Sequence, residues 1–253
     1  MNSRRTFVMI MLFVFVLPIT SRGQGYISTD YFSCSSLRDE LGNKFGSSNL
    51  MTISGRYTLP VSIKQDSDGK MKVWSATINC KYGKLDNRGL AKDYNPDEVL
   101  NAGVTISHIR PISERWSIMV LLGCGVYAVP DEITFKSMLA NGALIFVYDL
   151  RKNLRFGMGV ALTNSYGVPM IIPMGYFNWQ NSGRYEINVN MLSSGVKVSA
   201  ATWLSKKVKM EVVALEMDGL SAVMKVDGKS KIYSTMMMRS YISPSLHFLS
   251  VCR

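Results

Sequence analysis

Apolar and polar residues alternate with a period of two along most of this chain. From Met51 to Lys64, Met51, Ile53, Gly55, Tyr57, Leu59, Val61 and Ile63 share one face, while Thr52, Ser54, Arg56, Thr58, Ser62 and Lys64 share the other. An α-helix groups apolar positions every three or four residues, so this segment predicts a strand half covered on one side. Asp66-Ser67-Asp68-Gly69 follows as a hairpin turn. The next strand sets Trp74, Ala76, Ile78, Cys80 and Tyr82 against Ser75, Thr77, Asn79 and Lys81.

The same alternation predicts strands around residues 99–110, 116–126, 155–162, 185–191 and 208–214, with weaker candidates near 140–148, 172–180, 195–203, 219–227 and 231–242. A further weak strand is visible around Tyr26 to Ser35. A soluble β-sandwich alternates too, but three features favour a membrane-spanning barrel. Several strands reach the roughly 9–11 residues that a tilted strand needs to cross a bilayer. Aromatics stand at the ends of apolar faces: Trp74, Tyr82, Trp116, Tyr148, Phe156, Trp179 and Tyr185. Connections alternate between long (84–98, 128–139, 164–171) and short (110–115, 149–153, 180–184, 204–207), the last four carrying Pro111, Asp149, Asn153, Gly183 and Lys206-Lys207. The expected fold is therefore all-β: an antiparallel up-and-down transmembrane β-barrel of about 12–14 strands. The candidates enumerated here number thirteen. Bacterial single-chain barrels have even counts, so an odd count predicts a barrel left incomplete at its C-terminal end.

The N-terminal segment supports export. Arg4 and Arg5 precede the apolar run Phe7 to Pro18, and Ser21-Arg22-Gly23 supplies small residues for a cleavage site. Residues 1–23 thus read as a cleaved signal peptide, 24–48 as a segment with a possible first strand, 49–242 as the barrel and 243–253 as an aberrant tail. That tail ends Phe248-Leu249-Ser250-Val251-Cys252-Arg253 without a terminal aromatic, and Pro244 cannot donate to a ladder. No later stretch is long and apolar enough for a membrane helix, so the 47% apolar content has to be placed in another way. Cys34, Cys80, Cys124 and Cys252 have neither metal-motif spacing nor the density of a disulfide scaffold. The net charge of +11 comes from scattered residues, which argues against nucleic acid and fits contact with anionic lipopolysaccharide.

Candidate chemistry is sparse. His108 and His247 are the only histidines, and Ser107 and His108, as neighbours on a strand, face opposite sides and cannot act as a nucleophile–base pair. Asp93, Asp97 and Glu98 lack the spacing of a calcium loop. Gly123-Cys124-Gly125 and Gly157-Met158-Gly159 lack the following helix of a nucleotide loop and read as small residues on the inner face of strands. No cofactor and no enzymatic activity are expected. The charged residues assigned to the lumen are Arg56, Lys64, Lys81, Arg155, Glu186, Lys197, Lys209 and Glu211. Their basic surplus suits a weakly anion-selective pore, or equally a lumen filled by paired charges.

Ile109-Arg110-Pro111-Ile112-Ser113-Glu114-Arg115-Trp116, the run Ile145-Phe146-Val147-Tyr148-Asp149-Leu150-Arg151-Lys152-Asn153 and Pro173-Met174-Gly175-Tyr176 carry a resemblance, together with a signal ending at Gly23-Gln24. Over residues 45–242 the chain resembles an uncharacterised outer-membrane β-barrel family, a domain of unknown function, of Bacteroides-type bacteria. The resemblance implies an outer-membrane location and a barrel, and brings no catalytic or binding residues. Two functions follow as expectations: a passive channel or transport component, or a structural or surface-binding barrel acting through its long external loops. The expected partners are outer-membrane lipid, lipopolysaccharide and the barrel-assembly machinery, with the solute or protein partner left open.

Overall fold

The computed structural model describes residues 24–246 apart from 39, 67–68, 165–168, 182–183, 193–194, 206–207 and 227–228. The expected signal segment, the tail beyond 246, and the expected turn residues Gly183 and Lys206-Lys207 lie outside the described residues. Twelve strands pair antiparallel in sequence order. They are β1 (Gln24–Arg38), β2 (Lys44–Gln65), β3 (Met71–Gly89), β4 (Glu98–Pro111), β5 (Trp116–Ala128), β6 (Met138–Arg151), β7 (Leu154–Thr163), β8 (Met170–Asn181), β9 (Tyr185–Leu192), β10 (Gly195–Trp203), β11 (Val208–Val226) and β12 (Lys229–Leu246). The strands form a closed β-barrel. The first and last strands are tied by an ion pair from Arg239 on β12 to Asp30 on β1, at 2.5 Å. Among the described residues no helix is long and apolar enough to cross a membrane.

Strict up-and-down order puts all odd-to-even connections on one rim and all even-to-odd connections on the other. The loop rim carries a four-residue helix α1 (Ala91–Tyr94) between β3 and β4, and two 3-10 turns (Pro130–Glu132 and Phe135–Ser137) between β5 and β6. The turn rim carries the β2–β3, β4–β5, β6–β7, β8–β9 and β10–β11 connections and both described chain ends. Asn95 and Asp149 thus lie at opposite ends, as the beat of long and short connections predicts. The β2–β3 turn is closed by Asp66, whose N–H donates to the Lys70 carbonyl and whose carbonyl accepts from Gly69 N–H. Gly69 supplies the positive φ of 75° that this turn requires.

Three expectations need correction. The expected strands 208–214 and 219–227 are replaced by a single strand, β11 (Val208–Val226). Glu216-Met217-Asp218, left between the two expected strands, continues the strand past an irregularity in pairing between Val213 and Glu216. The count of thirteen becomes twelve, and the odd strand behind the expected incomplete barrel disappears. Residues 243–246 belong to β12 rather than to an aberrant tail, with Ser243 opposite Glu211 and Leu246 opposite Val208. Pro244 sits in this last stretch opposite Met210, where a missing donor costs least if its N faces away from the β11 ladder. Lys64, assigned to the lumen, belongs to the outer face. A register shift between Pro60 and Ser62 reverses the parity of β2, so that Ser62 pairs with outward Trp74 and Lys64 with Lys72.

The outer face is apolar. Val104, Ile106, Leu122, Phe146, Met158, Val160, Leu162 and Ile171 all stand exposed, Met158 to 71%. Aromatic side chains collect towards the turn rim of this belt. Trp74 stacks on His108 at a centroid distance of 4.0 Å, and Trp116, Tyr148 and Phe156 form a row at 4.8 and 5.4 Å. Tyr82 is the exception, lying farther along β3 opposite Ile53 and Leu100.

The inward glycines let the wall bend. A Cβ on Gly159 would run into the carbonyl oxygen of Leu144 and lie 2.7 Å from the Cα of Ile145. Because backbone rather than a flexible side chain stands in the way, Gly159→Ala is expected to cost about 1–3 kcal/mol, the range of overpacked cores. Urea unfolding in micelles checks this, with Gly55→Ala, whose added Cβ meets nothing nearer than 3.8 Å, as the tolerated control.

Candidate functional site

The lumen is the place where side-chain chemistry converges, and it is filled in layers. Nearest the loop rim, Leu50 (β2), Leu85 (β3) and Val99 (β4) pack against Leu220 and Ala222 of β11 and Met237 of β12. Leu220, Val99 and Ala222 are fully buried. These strands are not all neighbours, so the cluster spans the interior. It forms because β11 and β12 run beyond the wall and fold over the mouth. Val223 makes a parallel bridge to Ala128 of β5, and in a barrel of twelve β5 stands diametrically opposite β11. Glu132 accepts the backbone N–H of Lys225 at 2.8 Å. With its amide nitrogen turned to the Ser221 carbonyl, the Asn101 carboxamide donates to that oxygen (2.6 Å) and accepts from Ser221 N–H (3.2 Å).

Below the apolar layer lies a charged one. Lys81 of β3 meets Asp218 of β11 across the lumen. Arg239 pairs with Asp30 at 2.5 Å and with Glu216 at 3.0 Å, and the Tyr241 hydroxyl donates to Glu216 at 2.7 Å. Asp30, Phe32, Thr52, Lys81, Asp218, Met237 and Arg239 surround a gap with no room for a water-sized sphere. Each charge here faces an opposite charge, which offsets the desolvation that a lone buried ion suffers.

The opposite part of the wall holds a second apolar cluster of Ala143, Ile145, Val147, Ala161 and Met174, all on the inner faces of β6, β7 and β8, with Ile145 fully buried. Towards the turn rim, Lys209 binds Glu186 at 2.5 Å and lies 5.6 Å over the Trp203 ring, while Trp203 Nε1 donates to Glu186 at 3.2 Å. Lys197 pairs with Glu211 at 3.1 Å, and Arg155 with Asp149 at 2.9 Å. Arg56, opposite Asn79, completes the inward set, and its Nε is buried without a partner.

Of the eight residues assigned to the lumen, all but Lys64 face inward, and six (Lys81, Arg155, Glu186, Lys197, Lys209 and Glu211) stand in ion pairs. Asp30, Glu216, Asp218 and Arg239 were missed. Asp30 and Arg239 sit in stretches of weak alternation, and Glu216 and Asp218 fall in the gap between the expected strands 208–214 and 219–227. The cue available in the sequence was charge on the polar face of those stretches, once β11 is read as continuous.

Other candidate positions are held structurally. The Ser107 hydroxyl bonds that of Ser75 at 2.7 Å, while His108 turns to the other face, against Trp74 and near the Val73 carbonyl. Asp97 accepts from the Asn87 amide at 3.3 Å. Among the described residues, no group of three or more His, Cys, Asp or Glu is placed to hold a metal ion.

No curated protein matches this chain. The model of a domain of unknown function, DUF6268, matches residues 19–251, beyond both ends of the 45–242 span over which the motifs carry a resemblance. With nearly its whole length matched, the chain belongs to the DUF6268 family.

Proposed function

We propose that this protein is an outer-membrane barrel that works through its loop rim as a structural or surface-binding element, with its lumen held shut. The observation that carries this reading is the layered closure: an apolar cluster roofed by the β11–β12 hairpin, then cross-lumen ion pairs around a gap too narrow for water. A passive channel needs a continuous polar path, and unpaired charge of one sign to select among ions. Here the basic surplus of the lumen is largely spent on acidic partners. The exposed apolar belt and its aromatic rim support placement in lipid, where an apolar surface of this extent is stable. The basic net charge suits an anionic lipopolysaccharide leaflet, and the barrel-assembly machinery would deliver the chain there. The loop rim, with α1 and the two 3-10 turns, is the surface left for partners.

The test is single-channel recording. Refolded protein in planar bilayers is expected to give no stepwise current at either polarity. Regular steps in the unmodified chain would overturn the closed-lumen reading. Cell fractionation should recover the protein with the outer membrane, and protease added to whole cells should cut within 90–97 or 129–137 and spare the short turns.

A further inference from the structure

The two rims differ in charge. The loop-rim connections and strand ends at 38–44, 84–98, 128–138 and 225–231 carry nine basic and nine acidic residues. Those of the turn rim at 64–72, 110–116, 149–153, 181–185 and 203–208 carry ten basic against four acidic, so the basic surplus of the connections belongs to one rim. Three of these basic residues stand side by side on the outer face. Lys64 of β2 is directly opposite Lys72 of β3, and Arg110 of β4 follows next in the row, because Val73 is opposite Ile109. Neighbouring strands lie about 4.8 Å apart, and like charges directly opposite one another destabilise a sheet. Asp66 offsets one of the three by pairing with Lys72 at 2.6 Å. Lys64 and Arg110 are exposed, and among the described residues neither stands in an ion pair.

An aromatic shelf lies directly beneath this row on the same face. Two residues farther from the rim on β3 and β4, Trp74 stacks on His108 at 4.0 Å, and the next hairpin adds Trp116 against Tyr148 at 4.8 Å. Arg115, just before β5, donates to the Tyr148 hydroxyl at 3.4 Å and so places a fourth cation at the upper edge of the shelf. From the middle of the wall to the rim, an apolar belt, a shelf of rings and a row of cations succeed one another. A phospholipid leaflet has the matching order: hydrocarbon, an interface that suits Trp and Tyr rings, and phosphate. A basic cluster just beyond the hydrocarbon reads as a site for anionic lipid. Phosphate held at that depth offsets the repulsion between Lys64 and Lys72, whereas a free anion makes no use of the shelf. We propose that the turn rim from β2 to β5 is a docking surface for the headgroups of anionic phospholipids, which it prefers over zwitterionic ones. The proposal rests on the placement in lipid argued above and adds which lipid gathers at one rim.

Tryptophan quenching tests it, since Trp74 and Trp116 border the row. The full chain is refolded into phosphatidylcholine vesicles containing a minor fraction of brominated lipid, either phosphatidylglycerol or phosphatidylcholine. Brominated phosphatidylglycerol is expected to quench as though enriched about three- to tenfold at the protein surface over brominated phosphatidylcholine. Lys64→Gln together with Arg110→Gln should bring that ratio close to one. Lys92→Gln together with Lys136→Gln, on the loop rim, should leave it unchanged. Heat-modifiable migration on gels checks that each variant is folded. If the first double variant does not fold, Arg110→Gln alone decides, with a ratio lowered at least twofold. Inorganic phosphate should lower the ratio no more than sodium chloride of equal ionic strength does. A loss specific to phosphate means that the row takes free phosphate, and the lipid assignment falls. Equal quenching by the two lipids in the inserted chain, or an enrichment that survives the loss of Lys64 and Arg110, overturns the proposal and leaves the placement in lipid standing. If neither lipid quenches, the barrel does not enter the bilayer and both readings fall.

Discussion

Replacing Val104 with Arg is expected to destabilise the folded protein by about 2–4 kcal/mol, whereas Arg at the adjacent Thr105 should cost less than half as much. Val104 lies on the outer face of β4, 45% exposed, between outward Ile78 and Cys124. In a bilayer its surroundings are hydrocarbon, where a guanidinium loses its water and gains no partner. The penalty peaks at the midplane and falls towards either interface. Thr105 faces the lumen, with Thr77 and Gly123 as its cross-strand partners. An Arg there displaces a small side chain but can run its head along a polar wall that includes Asn79 and Asn141. Urea titration of both variants after refolding into lipid vesicles measures the difference. Equal penalties at the two positions would mean that the outer face does not meet lipid. Such a result would remove the membrane from the proposed function while leaving the barrel itself untouched.

Alternation exposes the inner and outer faces because each strand separates two environments, and it does so best where both faces follow the pattern without interruption. Met51 to Leu59 and Trp74 to Tyr82 are such cases, and their faces hold. The pattern fails where a bulge inserts a residue. At Pro60–Ser62 the parity reverses and carries Lys64 to the outside, and between Val213 and Glu216 an irregularity hides the continuity of β11. Strand ends are also extended beyond the predicted bounds. β2 begins at Lys44 and β3 runs to Gly89. Their extra residues bury Leu50 and Leu85 against β11 and β12, far away in sequence, and local pattern has no access to such contacts. For the same reason the inward charges were legible one at a time, but their pairing was not. Lys81 reveals its face by alternation, while its partner Asp218 is more than half the chain away.

The largest effect is expected from shortening the hairpin that roofs the lumen. Joining Gly219 to Met236 through Asn-Gly in place of residues 220–235 keeps the pairing of β11 with β12 up to that point, since Gly219 and Met236 are already opposite one another. It removes Leu220 and Ala222 from the apolar layer, the Val223 bridge to Ala128 and the Lys225 contact with Glu132. What remains at that level is Leu50, Leu85, Val99 and Met237, without the β11 residues and the contacts to β5 and Glu132 that reached across the opening. The barrel wall is not cut, because its ladders lie below the deletion. The cost in stability is that of a lost apolar cluster, several kcal/mol on the scale of large-to-small core replacements. With the roof gone, Lys81–Asp218 and Arg239–Glu216 come into contact with water, and exposed ion pairs contribute little to holding a passage shut. Stepwise conductance is therefore expected from the shortened protein in planar bilayers under conditions where the full chain is silent. Adding Asp218→Ala should change its ion selectivity, because Lys81 would then face the pore without its cross-lumen partner. If the shortened barrel folds, as judged by heat-modifiable migration, and still passes no current, the closure lies deeper in the lumen than the hairpin.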